Sequence, residues 1–189
     1  MDGRLGDLGE FCWMDIKTRD PRGTAARLSA EFGWEVEGRR VGVRGRAVGG
    51  VSDLADPVYP AGTPEHVAYY IAVERVEELV GAAVAGGGRV VVEPFALGGR
   101  GRIATLVDPV GAAFSLWEGA EGWGPVEAGV GVPVGMVLGC GRPEEARLFY
   151  RDVLGVPLRC AEFRREDVAV PRWEAVVRGV GGDVRFPGG

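Results

Sequence analysis

Hydrophobic and polar residues follow the same order twice in the first part of the chain. Each copy starts with a stretch in which apolar side chains recur at every second position, at residues 11–18 and 66–73, which is typical of a strand. A helical pattern that ends in glycine comes next, and three short strand-like stretches follow it. This order predicts two βαβββ modules, at about residues 10–57 and 65–118.

A third and shorter pattern begins at Pro133 and predicts a strand, a helix and extended segments without a clear fourth strand. We therefore expect a two-module domain over residues 1–120, a linker over residues 121–132 and a partial third βαβ-type module over residues 133–189. The partial module would expose an apolar sheet face if it stood alone. We expect it to pack on the second module or to pair with a second chain, which would make a homodimer.

Composition excludes several kinds of partner. The net charge of −5 argues against nucleic acid, because phosphate binding needs a basic surface. The longest apolar runs are too short to cross a bilayer, so we expect no membrane partner. The N-terminus lacks the apolar core of a signal peptide. The three cysteines, Cys12, Cys140 and Cys160, form neither a zinc pattern nor a disulfide framework. We expect a cytoplasmic protein.

The chain contains one lysine and one histidine. Lys17 is the only lysine among 22 Lys and Arg residues, and His66 is the only histidine. Two interpretations of Lys17 stay open. It is either a chance survivor in a chain that uses arginine for its cations, or a position where arginine does not work because a compact ammonium group is needed.

Three motifs carry a family likeness: Asp20-Pro21 followed by Phe32-Gly33-Trp34, the stretch from Gly87 to Trp117, and the stretch from Pro143 to Gly155. They resemble modules of the vicinal-oxygen-chelate (glyoxalase/bleomycin-resistance/dioxygenase) superfamily, especially its actinobacterial glyoxalase-like group. The resemblance implies an α+β fold. In that fold, paired βαβββ modules form a curved, cup-shaped mixed sheet with the helices on the outside, and a small molecule binds inside the cup.

Many members of that superfamily hold a divalent metal with His and Glu side chains. The resemblance places the metal ligands of the first strands at Trp13, Ala68 and Gly135, and that of a last strand at Ser115. None of these side chains is a metal ligand of the usual kind. His66 lies two residues before Ala68 and supplies one donor at most. We therefore expect no metal and no other cofactor.

Strand alternation then predicts which side chains face the cup. The predicted set mixes aromatic walls with a few polar groups, which is the composition of a small-molecule pocket. Its members are Phe11, Trp13, Asp15, Lys17, His66, Tyr70, Thr105, Ser115 and Trp117.

Each candidate has more than one interpretation. Asp15 is a base or a hydrogen-bond acceptor, and Lys17 is an acid of lowered pKa or an anion clamp, unless the two form a simple ion pair at the rim. His66 is the natural general acid or base near neutral pH, or an exposed residue at a strand start. Trp13 and Trp117 are stacking walls or fillers of the sheet.

Two arginines flank the glycine-rich stretch at residues 98–101. Arg100 and Arg102 are expected in a loop over the mouth of the cup. There they either clamp an acidic group of the ligand or are solvated surface charges.

Three functions follow from this set. The favoured one is a metal-free enzyme that uses Asp15, Lys17 and His66 for proton transfer, of isomerase, lyase or cyclase type, in secondary metabolism. The second is a resistance protein that sequesters a drug or metabolite without catalysis. The third, a metal-dependent lyase or dioxygenase, is disfavoured by the missing ligands.

Overall fold

The computed structural model describes residues 3–124 and 129–187. Its first module consists of strand β1 (Phe11–Thr18), helix α1 (Pro21–Phe32) and strands β2 (Glu35–Glu37), β3 (Arg40–Val43) and β4 (Arg46–Asp53). The second module repeats the order with strand β5 (His66–Ala72), helix α2 (Val76–Ala85) and strands β6 (Arg89–Ala96), β7 (Gly101–Val107) and β8 (Ala113–Gly119).

The two modules share one eight-stranded mixed sheet in the order β2-β3-β4-β1-β5-β8-β7-β6. In each module the last strand runs parallel to the first, and the two first strands, β1 and β5, join the modules as an antiparallel pair. The helices lie on one face, which we call the outer face. The opposite face is the cup face. The predicted α+β fold with paired βαβββ modules is confirmed.

Helix α1 begins and ends at the signals found in the sequence. The Asp20 carboxylate accepts a hydrogen bond from the Gly23 amide, and Pro21 occupies the first helical turn. Gly33 ends the helix in the left-handed conformation, with φ 68°, which costs little only for glycine. The helix buries Leu28 and Phe32 against the outer face of the sheet.

The remaining residues form a second, four-stranded sheet in the order β10-β9-β11-β12. Its first two strands run parallel with a helix between them. Here the last strand pairs antiparallel with β11 rather than parallel with β9, so the arrangement differs from that of the first two modules. The elements are β9 (Pro133–Cys140), α3 (Pro143–Leu148) with a π-helical turn (Phe149–Val153), β10 (Ala161–Arg165), β11 (Arg172–Gly179) and β12 (Gly182–Phe186).

The second sheet packs on the outer face of the first, where both modules contribute. The buried Tyr69 hydroxyl of β5 donates to the Phe186 carbonyl at 2.5 Å and accepts from the Ala175 amide at 3.2 Å. The Phe11 ring lies 4.7 Å from that of Trp173. These contacts belong to one continuous apolar core that joins the outer face to the second sheet.

The turn after β7 also holds the second sheet in place. The buried Asp108 carboxylate accepts from the Val110 and Ala112 amides and from the Tyr150 hydroxyl at 2.8 Å. Tyr150 in turn accepts from the Trp173 indole N–H at 3.0 Å. Burial raises the pKa of Asp108 against the opposing effect of these hydrogen bonds.

No helix in the described ranges is long and apolar enough to cross a membrane.

Candidate functional site

A polar cluster lies on the cup face where β4, β1 and β5 run side by side. The Lys17 ammonium nitrogen is 2.7 Å from an Asp15 carboxylate oxygen, and the exposed fractions of the two side chains are only 14% and 17%. The Ser52 hydroxyl donates to the same carboxylate at 2.9 Å. Strand register brings these groups together, because Ser52 is the neighbour of Lys17 across the parallel pair β1–β4.

Tyr59 completes the cluster from the loop between β4 and β5. Its hydroxyl oxygen accepts from the Lys17 ammonium at 3.3 Å, and the ring centroid lies 4.8 Å from the same nitrogen. The ring therefore contributes a cation–π contact as well as an acceptor. Sequence reasoning missed Tyr59 because it lies in a proline-rich linker without periodicity. It also missed Ser52, which the parallel register of the first and last strands of a module would have revealed.

The environment of Lys17 keeps this side chain charged. Burial alone would lower the pKa of Lys17, but the Asp15 carboxylate, Tyr70 and Tyr59 together outweigh burial, and the pKa is raised above its ordinary value. The interpretation of Lys17 as an acid of lowered pKa is therefore wrong. A cation of this kind is suited to hold an electron-rich oxygen and unsuited to act as a neutral amine at neutral pH.

Tyr70 lies beside this cluster on β5 as a second hydrogen-bond donor. It is the cross-strand neighbour of Trp13, and burial together with the Asp15 charge raises the pKa of Tyr70 to about 12. Within the described ranges its hydroxyl forms no hydrogen bond, although Asp15 and Lys17 are near enough to shift its pKa. The phenol therefore stays protonated and is available to a ligand.

His66 begins β5 directly opposite Lys17, and cross-strand neighbours of this kind have Cβ atoms about 5 Å apart. The side chain is exposed, and its Nδ1 lies 2.7 Å from the Pro64 carbonyl oxygen. A carbonyl only accepts, so Nδ1 carries the hydrogen, and Nε2 of the neutral ring is left as an acceptor. Among the described residues no donor bonds to Nε2, so it is available as a hydrogen-bond acceptor at the edge of the cup.

The remaining predicted cup residues of β1, β7 and β8 form a less polar region. Trp13 is half-buried on β1. The hydroxyls of Thr105 and Ser115 bond to each other at 2.8 Å. Trp117 is buried, and its indole N–H donates to the Glu121 carbonyl at 2.7 Å. Trp117 therefore fills the end of the sheet, whereas the half-buried Trp13 packs against the apolar core.

Phe11 does not face the cup. A bulge in the β1–β5 register pairs Phe11 with Ile71 and Trp13 with Tyr70, so Cys12 is an extra residue on β1. The bulge reverses the alternation, and Phe11 packs on the outer face against Tyr69 and Trp173. The predicted cup position of Phe11 is therefore wrong, because alternation was counted through the bulge.

Arg100 and Arg102 are both engaged in ion pairs away from the cup cluster. Arg100 lies in the turn between β6 and β7 and contacts the Glu121 carboxylate at 2.6 Å. Arg102 is inside β7 rather than in a loop and pairs with Glu77 of α2 on the outer face. The prediction that both lie in a loop over the cup mouth is wrong for Arg102, which strand alternation within β7 would have placed correctly.

An apolar strip that the sequence analysis did not identify continues the cup face beyond Thr105. The register of β6 and β7 places Val92 beside Thr105 and Phe95 beside Ile103. Val92 and Phe95 are exposed by 39% and 41%. The cup face thus has a polar half on β4, β1 and β5 and an apolar half on β7 and β6. We refer to Val92, Phe95 and Ile103 as the apolar strip.

Comparison with curated proteins shows relatives of two kinds. The chain is 31% identical over 155 residues to "Putative glyoxylase CFP32" of Mycobacterium bovis, which covers 76% of this chain and 59% of the relative. It is 35% identical over 113 residues to "Anthracycline biosynthesis protein DauV" of a Streptomyces species, which covers 59% of this chain and 40% of that protein. The chain therefore spans little more than half the length of the mycobacterial relative.

Solved structures share the fold. The Mn(II)-bound glyoxalase from Novosphingobium aromaticivorans has a TM-score of 0.53 and 21% identity over 80% of this chain and 53% of that chain. The 2,2',3-trihydroxybiphenyl 1,2-dioxygenase from Sphingomonas wittichii has a TM-score of 0.51 and 15% identity, over 79% of this chain and 57% of that one. No family model matches the chain. The similarity to these relatives and the shared paired-module fold support the vicinal-oxygen-chelate superfamily.

The cup residues do not fit the divalent metal that many members of this superfamily hold. The corresponding places carry Trp13, Ala68 and Ser115, and the Ser115 hydroxyl is already bonded to Thr105. Across residues 3–124 and 129–187, no three His, Cys, Asp or Glu side chains form a group that could hold a metal ion. Hard or borderline cations need several such donors, so we assign no step to a metal.

Proposed function

We propose that the cup binds a small organic metabolite and that the protein catalyses proton transfer on it, in an isomerase, lyase or cyclase type of reaction. The observation that carries this proposal is the Asp15–Lys17 pair, which is largely buried on the cup face and is bonded to Ser52 and Tyr59. Perturbed, partly buried charges in a concavity are typical of functional sites.

The residues support a division of roles. His66 Nε2 is the proton acceptor at the rim and later returns the proton to another atom of the ligand or to a leaving group. Lys17 orients the ligand, and Asp15 holds Lys17 in place and charged. Trp13 and the apolar strip supply the surface for the hydrocarbon part of the metabolite.

The Streptomyces relative supports a role in secondary metabolism. Its name assigns it to anthracycline biosynthesis, and it is similar to this chain over 113 residues. We propose that this chain likewise acts on an intermediate of a biosynthetic pathway, with a flat, oxygenated ring system as the ligand.

Mass spectrometry of the gently purified protein tests ligand binding directly. The proposal expects a co-purified small molecule, or a ligand found by screening oxygenated aromatic metabolites. In heavy water the wild type should exchange an acidic C–H of this ligand for deuterium, and His66→Asn should slow the exchange at least tenfold. Binding without exchange would contradict catalysis, and absence of any bound metabolite would contradict the proposal as a whole.

A sequestering protein is the second candidate, and the apolar half of the cup favours it. Val92 and Phe95 offer exposed apolar surface where a flat drug-like ring would be held without a base nearby. For this function Phe95→Ala should weaken binding at least tenfold, whereas His66→Asn should leave binding unchanged and no exchange should occur.

We also propose that the protein is a homodimer. Strand β6 lies at the edge of the large sheet, and its apolar side chain Val91, outside the apolar strip, is exposed. Exposed apolar strands at sheet edges favour association. Light scattering should give twice the chain mass of 20.0 kDa, and Val91→Lys should shift it toward the monomer. A wild type that is monomeric at all concentrations would contradict this proposal.

A further inference from the structure

The second sheet repeats the centre of the first. Strand β9 lies between the parallel β10 and the antiparallel β11, just as β1 lies between the parallel β4 and the antiparallel β5. The bulge is repeated as well, because Val134 is an extra residue on β9 as Cys12 is on β1. The face of the second sheet that points away from the first sheet is therefore the counterpart of the cup face. We call it the far face.

A small cleft with a charged lining lies on the far face beside Gly139. Gly139 pairs with Arg172 in the place that Lys17 and His66 hold in the first sheet. A Cβ on Gly139 would overlap the Glu166 carboxylate, so glycine leaves the cleft open. The cleft has a volume of about 240 Å³, below the roughly 300–1,000 Å³ of pockets for drug-sized ligands. Its other lining residues are Glu166, Val168, Val170, Arg172, Glu174 and Arg185.

Glu174 supplies a buried carboxylate to this cleft. The residue is only 5% exposed. One of its oxygens accepts from Arg172 and the other from Arg185, each at 3.3 Å. Charge-assisted hydrogen bonds of this kind are about 2.7–2.9 Å long when they are well formed. Both contacts are longer than that, so the carboxylate retains the capacity to accept from a donor that enters the cleft.

Arg172 has donors that the protein does not use. A guanidinium group carries five N–H donors. In the described part of the chain, the head group of Arg172 has a single partner, the Glu174 carboxylate, and its side chain is 50% exposed. Arg185, in contrast, is held by the Glu166 carboxylate at 2.6 Å and 3.1 Å. The planar fork of Arg172 is thus available to bind a carboxylate.

The charges of the cleft balance each other. Two arginines and two glutamates line it, so a ligand with a charge of one sign would meet a like charge as well as an opposite one. A ligand that carries both signs finds an opposite charge for each of its groups. Val168 and Val170, exposed by 40% and 71%, add apolar surface beside these charges.

We propose that the cleft is a second binding site and that it takes a small zwitterion, an amino acid with an apolar side chain. The ammonium group of the ligand donates to Glu174, its carboxylate accepts from Arg172, and its side chain contacts Val168 and Val170. The site lies on the far face of the second sheet, so it does not depend on the function proposed for the cup.

L-leucine is a suitable probe because each of its two charges can be removed separately. Isocaproate lacks the ammonium group of leucine, and isoamylamine lacks its carboxylate. Isothermal titration calorimetry of the full chain should show one saturable site for leucine. Both analogues should bind at least tenfold more weakly, because each leaves one charge of the cleft without a partner.

Variants of the two proposed contacts should change selectivity in opposite ways. Arg172→Met should weaken leucine binding at least tenfold and remove the preference for leucine over isoamylamine. Glu174→Gln should remove the preference for leucine over isocaproate. A purely structural role of these residues would not produce such selective losses. Circular dichroism of each variant reports folding, and the exposed position of Arg172 keeps the test valid if Glu174→Gln does not fold.

Two control variants should leave leucine binding unchanged. Arg178→Met removes a charge from the same strand, where Arg178 pairs with Asp183 outside the cleft. Lys17→Met removes the cation of the cup.

Four results would overturn this inference. The first three are no saturable binding of leucine, equal binding of leucine and its analogues, and a loss of binding in Lys17→Met, which would place leucine in the cup. The fourth is a lower mass of Arg172→Met than of the wild type in light scattering, which would assign the far face to a second copy of the chain. The function proposed for the cup is judged separately, by the co-purified metabolite and by deuterium exchange into it.

Discussion

The charge of Lys17 depends mainly on one neighbouring carboxylate. Burial lowers the pKa of Lys17, and Asp15 is the largest of the effects that raise it. Arginine has a larger, planar head group with a different arrangement of donors. The contacts of Lys17 with Asp15 and Tyr59 therefore favour the interpretation that a compact ammonium group is needed at this position.

Replacement of Asp15 should reverse the shift in the pKa of Lys17. In Asp15→Asn the attraction is lost and burial remains, so we expect the pKa of Lys17 to fall below its ordinary value. Since Lys17 is the only lysine, an NMR pH titration of its side-chain signals measures this without ambiguity. Asp183→Asn, on β12, is the control and should leave the pKa of Lys17 unchanged. An unchanged pKa in Asp15→Asn would show that the pair does not control the charge of Lys17.

Tyr150→Phe and Tyr70→Phe together test how much a hydrogen-bonded tyrosine hydroxyl contributes to the free energy of unfolding. In Tyr150→Phe, Asp108 loses a donor and the Trp173 indole loses its acceptor, which should cost about 1–3 kcal/mol of unfolding free energy. Tyr70→Phe removes a hydroxyl that has no partner in the described part of the chain and should change stability by less than about 0.5 kcal/mol. Urea denaturation measures both. Equal costs would contradict the assigned hydrogen bonds.

Among the elements, the modules themselves were predictable from the sequence and the details of the cup were not. The two βαβββ units could be predicted because their signals are local in sequence. These signals are the residues that begin helices, the glycines that end them and the alternation of apolar residues in strands. Alternation failed in β1 because the bulge at Cys12 depends on pairing with β5. Tyr59 could not be predicted because the path of a long loop is decided by tertiary contacts.

Strand β4 carries two adjacent glycines that should respond differently to substitution. A Cβ on Gly49 would lie 2.6 Å from Cγ and 2.8 Å from the carbonyl oxygen of Met14 in the neighbouring strand β1. Gly50 faces the cup, where a Cβ would meet only atoms at 3.4 Å, from Arg39 and Asp15.

We therefore expect Gly49→Ala to cost about 1–3 kcal/mol of unfolding free energy through overpacking. Gly50→Ala, the control on the same strand, should cost less than about 0.5 kcal/mol. Urea denaturation of both variants tests this, and a similar loss in both would mean that the faces of β4 are not assigned correctly.

In the whole molecule, the second sheet is bound to the first by polar as well as aromatic contacts. The Glu10 carboxylate, just before β1, accepts from the Arg159 amide at 2.6 Å and from the Cys160 amide at 3.2 Å. Sequence patterns predicted a partial third module but not this contact, because it joins residues about 150 positions apart.

Glu10 gives this connection a dependence on pH. Burial raises the pKa of Glu10 above 4.5, against the two backbone hydrogen bonds. The folded protein therefore binds the proton more tightly than the unfolded chain does, and stability is lost as the pH rises from 4.5 through the folded pKa. The Glu10→Gln variant has no titratable carboxyl at this position.

The stability advantage of the wild type over Glu10→Gln should therefore shrink from acid to neutral pH. Urea denaturation at a series of pH values measures the difference, with Glu93→Gln as an exposed control on β6. A difference that grows toward neutral pH would mean that the folded protein prefers the ionised form of Glu10.

The position of the second sheet on the outer face has a consequence for how such a protein changes over time. Aromatic and polar contacts between the two sheets join Tyr69, Trp173 and their neighbours on the outer face, whereas Trp13, Tyr70 and Phe95 lie on the cup face. Substitutions at Trp13, Tyr70 or Phe95 can then alter which molecule is accepted at small cost in stability. A lineage built in this way is free to exchange one ligand for another while its architecture persists.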